Sequence, residues 1–173
     1  MRSEGRRIVA FFEGAAPDDR DRSFEDVLRF DDDALEAVHD FIQWLFPLRD
    51  RSGANPSAPR LDDDAVTAFR SRPDLQRRQR RALERMLAFY ALRWNGDRIE
   101  PDETFGERSH WLRPGNHNHL RLTRMLISLQ TLGLEREARA LRECLLALAA
   151  SHPQAISETT VEYWRASTGE KAR

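Results

Sequence analysis

A chain of 173 residues fits one domain, and at this size folding removes about two-thirds of the surface an unfolded chain exposes. With 28 basic against 29 acidic residues the formal net charge is −1, which argues against wholesale attraction to nucleic acid or anionic lipid. The one cysteine, Cys144, excludes an intrachain disulfide and a thiolate metal cluster. No stretch approaches the roughly 20 apolar residues needed to cross a bilayer. The opening apolar run ends at Glu13, too early for a signal peptide, so the expectation is a cytoplasmic protein without membrane insertion.

Taken in chain order, residues 8–12 (IVAFF) read as a short strand or as an apolar arm docked on the domain. A turn-rich connector, EGAAPDDRDR, completes an expected N-terminal arm over residues 1–22, ahead of a helical domain over 23–167. Ser23 with Asp26 forms a capping-box pattern for a short helix. A helix is expected from about Asp32 to Phe46. Its stripe is Leu35, Val38, Phe41, Ile42 and Leu45, its acidic start suits the helix dipole, and Pro47 stops it. After a loop over 47–60, Leu61 staples to Val66, Asp62 caps, and Phe69 extends the buried face.

Pro73 suits the first turn of a longer helix running to about residue 92, with Leu75, Leu83, Met86, Leu87 and Tyr90 as its apolar contacts. Its other side carries Arg77, Arg78, Arg80, Arg81 and Arg85, the chain's one basic surface, read either as a solvated face or as a ligand or partner contact. Asn95-Gly96-Asp97 marks a turn, and residues 100–115 read as irregular around one helical segment. A helix over 117–132 buries Leu122, Met125, Leu126 and Leu129 and ends at Gly133. The next, over 135–150, buries Ala138, Leu141, Leu145 and Leu148, and places Cys144 among apolar neighbours as an inert thiol. Ile156 and Ser157 repeat the staple-and-cap pattern ahead of Val161 and Trp164, and the tail over 168–173 should fray. No alternating strand series and no internal repeat appears. The expected fold is all-α, a single-domain irregular helical bundle, with Trp44, Trp111 and Trp164 as packing residues beside helix ends.

Two segments hold polar residues that a solvated surface does not explain. In HDFIQWLFPLR, His39, Gln43 and Phe46 share one face beside Trp44. In NHNHLRLTR, Asn116, His117, Asn118 and His119 crowd a helix start, with Arg121, Arg124 and Ser128 along the side away from the core. Free N–H groups at such a start favour an anion, and an arginine grips one through paired hydrogen bonds. The bland alternative is structural: Asn116 or Asn118 as a cap, and Arg121 and Arg124 paired with carboxylates. An enzymatic alternative makes His117 or His119 an acid or base acting on a phosphorylated or carboxylated metabolite. The two segments are expected to lie together, with Arg121 facing polar groups of the first.

Other chemistries lack their signatures. His117 and His119 are two apart, which points their rings apart on a helix, and no H-E-x-x-H or cysteine pair accompanies them. No metal, no cofactor and no nucleic-acid partner is therefore expected.

The segments HDFIQWLFPLR at 39–49 and NHNHLRLTRMLISLQTLGL at 116–134 resemble the conserved domain of the opioid growth factor receptor family. RSFEDVLRF at 22–30, NPSAP at 55–59, MLAFYAL at 86–92 and YWR at 163–165 support the resemblance in order, so it covers nearly the whole chain. It implies a helical domain. Animal members are described as receptors for an opioid growth peptide, associated with perinuclear membranes and the nucleus, and carry long repetitive regions after the conserved domain. The family supplies no agreed catalytic residues. This chain ends soon after Trp164, which points to a compact, bacterial form. The favoured expectation is a non-catalytic binding module for a small anion or peptide, using His39, Gln43, Trp44, Asn116, His117, Asn118, Arg121 and Arg124; no oligomeric partner is specified.

Overall fold

The computed structural model describes residues 3–167. In chain order the elements are α1 (Glu4–Glu13), α2 (Phe24–Leu28), α3 (Asp32–Ala37), α4 (Ile42–Leu45), α5 (Asp63–Ser71), α6 (Pro73–Phe89), β1 (Leu92–Asn95), β2 (Arg98–Pro101), α7 (Phe105–Arg108), α8 (Asn118–Thr131), α9 (Glu135–Ser151) and α10 (Glu158–Ala166). The chain is mainly helical. It divides into two compact units, residues up to Arg85 with Thr131–Gly133, and Met86–Gln130 with Leu134 onward.

The first unit is built on capped helices and an aromatic core. Side chains of Ser3, Ser23, Asp31 and Asp62 accept the free N–H groups that open α1, α2, α3 and α5. The expected box is complete, since Ser23 and Asp26 each accept from the other's backbone. Residues 8–12 are neither strand nor arm: they lie within α1, because Ile8, Phe11 and Phe12, all fully buried, recur at helical spacing. Gly14, at φ 76°, closes that helix by donating to the carbonyls of Ala10 and Phe11. Phe11 packs against Phe24 and Trp44 at 5.7 and 5.2 Å between ring centroids, and Phe12 against Phe69 at 4.9 Å.

The expected helix over 32–46 is broken. At Val38 the backbone turns extended (φ −88°, ψ 128°), ending α3, and α4 restarts four residues later. Residues 41–47 are all buried, and a single amphipathic helix has no face broad enough for that. The break leaves Asp40 between two helices, where it meets the connector.

The second unit adds what the sequence concealed, an antiparallel hairpin with Arg93 opposite Glu100 and Trp94 opposite Ile99. Gly96 (φ 62°) lies in its two-residue loop. Only Leu92 and Ile99 of these short strands are buried, so no alternation was there to read. α9 packs against β2 and α10. Trp111 and Trp164 are fully enclosed, as expected of packing residues, and Trp44 in the first unit is 1% exposed. The expected fraying over 168–173 falls outside the described residues.

Candidate functional site

The site nearest to the sequence expectation lies in the first unit and starts from a loop. Asp18, 5% exposed, accepts the backbone N–H groups of Arg20 (2.8 Å) and Arg22 (3.0 Å) on one carboxylate oxygen and Arg22 Nε (2.7 Å) on the other. This side-chain-to-backbone clamp curls residues 18–22 and holds Asp21 at φ 58°, a left-handed conformation that aspartate tolerates better than most. Arg22 then spans from Asp18 to Asp40, 2.7 and 2.8 Å away, and Arg20 donates through Nε to Asp40 at 2.9 Å. Burial raises the Asp40 pKa, but the hydrogen bonds from both arginines outweigh it, holding the carboxyl below its ordinary range.

Around this network lies a cleft of about 170 Å³ lined by Asp19, Arg20, Arg22, Asp40, Trp44, Asn55 and Ser57. The guanidinium of Arg7 sits 5.2 Å from the Trp44 ring centroid and pairs with Asp19. Ser57 donates its hydroxyl to Asn55 Oδ1 at 2.8 Å. The terminal nitrogens of Arg20 and the side-chain NH₂ of Asn55 make no hydrogen bond among the described residues. Both remain available to an acceptor.

Of the residues expected here, Trp44 lines the cleft. Gln43 is 3% exposed and donates to the His39 carbonyl at 3.2 Å, while its own carbonyl oxygen is buried without a partner among the described residues. His39 is exposed. The residues that sequence reasoning missed are Asp18, Asp19, Arg20 and Arg22 of the connector, and Asn55 and Ser57 of the NPSAP loop. The available signal was the DDRDR run, whose carboxylates can bond backbone two residues on. Gln79 was hidden among the arginines of α6; it is fully buried and donates to the Leu45 carbonyl at 2.9 Å, satisfying the end of α4.

The remaining expected residues belong to the second unit, where Asn118 and Arg121 join a buried network. Asn116 Oδ1 accepts the Asn118 N–H at 2.9 Å, opening α8. Asn118, fully buried, accepts from the Tyr90 hydroxyl (3.2 Å) and from Arg121 (3.3 Å) through one oxygen. Arg121 is 5% exposed. His119 Nε2 bonds the Trp111 carbonyl at 3.0 Å, while Trp111 Nε1 donates to the Tyr90 carbonyl at 3.1 Å. Burial lowers the pKa of His119, against the pull of that carbonyl, so the ring favours its neutral form. His117 is half-buried, and burial brings Arg124 down to about 10, which leaves it charged at neutral pH. Cys144 is buried, its thiol pushed up to about 12 by burial and then by Glu100. Among the described residues no group of three or more His, Cys, Asp or Glu is placed to hold a metal ion. No helix there is long and apolar enough to cross a membrane.

The first unit is thus a set of capped helices carrying a mixed-charge cleft. The model of the opioid growth factor receptor (OGFr) conserved region matches residues 15–173, and the chain belongs to that family. It is 43% identical over 106 residues to the opioid growth factor receptor of Mus musculus, covering 60% of this chain and 17% of that protein. The Homo sapiens receptor is 43% identical over 107 residues, covering 60% and 16%. Opioid growth factor receptor-like protein 1 of Mus musculus is 33% identical over 138 residues, covering 78% and 30%. The chain thus spans less than a fifth of either receptor's length. These relatives are vertebrate and lend no support to the expected bacterial form. No solved structure gives a significant match.

Proposed function

We propose that the chain is a non-catalytic binding module whose cleft beside Trp44 takes the carboxylate of a short peptide or other small acid. One observation carries this reading: three segments that bear the family resemblance, beginning at Arg22, at His39 and at Asn55, each contribute side chains to the same 170 Å³ cleft. The chemistry suits an acidic group. Asp40 holds Arg20 through Nε, so the opposite edge of that guanidinium keeps a two-pronged donor surface, and the Asn55 amide adds donors beside it. The relatives are named receptors for opioid growth factor, which makes that peptide the first ligand to test.

Fluorescence anisotropy with labelled opioid growth factor is the test. Saturable binding is expected, weakened by about tenfold in Arg20→Ala, the loss of one charge-assisted contact. Arg20 is exposed, so this variant should keep its unfolding midpoint. A peptide with an amidated C-terminus should bind as weakly as the variant does. Equal binding by parent and Arg20→Ala would remove the cleft from the reading.

A purely structural role is the better proposal for residues 116–124. The oxygen of Asn118 and Nε2 of His119 are committed to protein partners, and a bonded, burial-neutralised imidazole is poorly set for the acid–base work of the enzymatic alternative.

A further inference from the structure

The charges around the cleft beside Trp44 cancel. Asp19 pairs with Arg7, Asp40 with Arg20 at 2.9 Å, and Arg22 bridges Asp18 and Asp40 at 2.7 and 2.8 Å. Three carboxylates thus meet three guanidinium groups. Asp18 and Arg22 are largely buried, whereas Asp19 and Arg20, neighbours in the chain, are exposed and both line the cleft. Each keeps capacity on one side. Arg20 gives Nε to Asp40, and its terminal nitrogens make no hydrogen bond among the described residues. Asp19 receives Arg7 on Oδ1, and its Oδ2 makes none there either.

This balance sets a condition on the occupant. A carboxylate brought to Arg20 also comes near Asp40, which already holds that arginine, and it shares the cleft with Asp19. A lone negative charge therefore gains from one guanidinium and loses to the carboxylates beside it. A lone cation at Asp19 meets the converse, with Arg7 already in place. A group carrying both signs leaves the cleft neutral and finds an opposite charge at each end. The cleft of about 170 Å³ has the room of roughly six water molecules, which suits a single amino-acid residue.

Resting on the reading that this cleft takes a carboxylate, we infer that its ligand bears an ammonium within the same residue as that carboxylate. The carboxylate lies on Arg20 and Asn55, and the ammonium lies on Asp19. Asp19 is then the residue that sets specificity, since it rewards acids that also carry a positive charge. Two sources offer this chemistry: a free α-amino acid, and a peptide ending in lysine.

An NMR titration of the chain at low ionic strength tests this with matched probes. They are norleucine, hexanoate, which lacks its ammonium, and pentylamine, which lacks its carboxylate. N-acetyl-glycyl-lysine against N-acetyl-glycyl-norleucine makes the same comparison for a chain end. Saturable binding of norleucine or of the lysine peptide is expected, about tenfold tighter than that of the counterparts lacking one charge. Asp19→Asn should abolish this advantage without weakening hexanoate, and Arg20→Ala should weaken every acid. Both residues are exposed, so thermal unfolding should show both variants folded. Tighter binding of norleucine than of the lysine peptide assigns the ligand to a free amino acid, and the reverse assigns it to a chain end. Hexanoate binding as tightly as norleucine, with the two peptides alike, would overturn the inference and leave the carboxylate reading standing. A preference that survives in Asp19→Asn would overturn it too. No saturable binding by any acid, or an Arg20→Ala variant that binds like the parent, would sink the carboxylate reading and the inference with it.

Discussion

Gly5 stands in the first turn of α1 because nothing larger fits. A Cβ there would lie 2.1 Å from Asp62 Oδ1. Asp62 accepts the Ala65 N–H at 2.9 Å as the N-cap of α5, and the Ser3 hydroxyl and the Gly5 N–H lie close enough to favour its charged form. Burial raises its pKa, but the Ala65 N–H and these neighbouring donors outweigh burial and hold it below the ordinary carboxylate range. In an open helix Gly→Ala gains up to about 1 kcal/mol, whereas losing an N-cap costs about 0.5–2 kcal/mol, with the steric displacement in addition. Gly5→Ala is therefore expected to destabilise the protein by about 1–2 kcal/mol in urea unfolding. In an Asp62→Ala background the same change should be neutral or stabilising, because the obstacle is gone; an equal loss in both backgrounds would show that Asp62 is not the cause. Asp62 was legible as a cap for α5. Its service to α1 was not, because that link joins residues far apart in sequence.

At the scale of elements, periodicity located α6, α8 and α9 within three residues of their ends and capping signals located α2, α5 and α10, while α1 was missed and the helix expected over 32–46 is split. The stripe over 32–46 satisfied a helix template, yet Val38 leaves it, since Asp40 is drawn to Arg20 and Arg22. α8 illustrates the converse, a helix whose start is secured by buried polar bonds. Asn118 collects both the Tyr90 hydroxyl and Arg121 on one oxygen with no exposure to water. Asn118→Ala removes one acceptor from each of those two donors, so a loss of about 1–3 kcal/mol is expected by denaturant unfolding. Adding Tyr90→Phe should then cost less than it does in the parent, because the phenol has already lost this partner. If the two losses simply add, the Tyr90–Asn118 bond carries no coupling energy and does not help to hold the start of α8.

For the whole molecule, the pH profile of stability should show two descents on the acid side. The pKa of His119 is lowered, so the unfolded chain binds the proton more tightly; its contribution is complete above about pH 6.5 and is lost as pH falls below that value toward the lowered one. Glu4, Glu25, Asp40 and Asp62 also have lowered values, so their contribution is present above the ordinary carboxylate range near pH 4 and is lost beneath it. Urea unfolding at pH 7.5, 5.5 and 3.5 should show a modest first loss and a steeper second one. The first should flatten in His119→Asn. A parent whose stability does not change between pH 7.5 and 5.5 would contradict the burial argument for His119.

By itself the sequence determined what depends on neighbours along the chain: the helical class, the caps at Ser23, Asp62 and Ser157, the closing role of Gly133, and the family. Hydrophobic period and capping chemistry act over three or four residues, so they are written locally. Tertiary structure alone decided which polar side chains line a cleft. Arg20 and Asn55 looked like ordinary loop residues, and their donors face a cleft because Asp18 curls one loop and the break at Val38 delivers Asp40 to it. Asn118 and Arg121 looked like a binding pair; both are buried, and Asn118 Oδ1 accepts from the Tyr90 hydroxyl and from Arg121. Among the α6 arginines, Arg81 and Arg85 meet Glu25 and Asp32, partners whose placement is not written in the local sequence. A side chain's availability is set by the partners that long-range packing brings within about 3 Å, and local sequence carries no record of them.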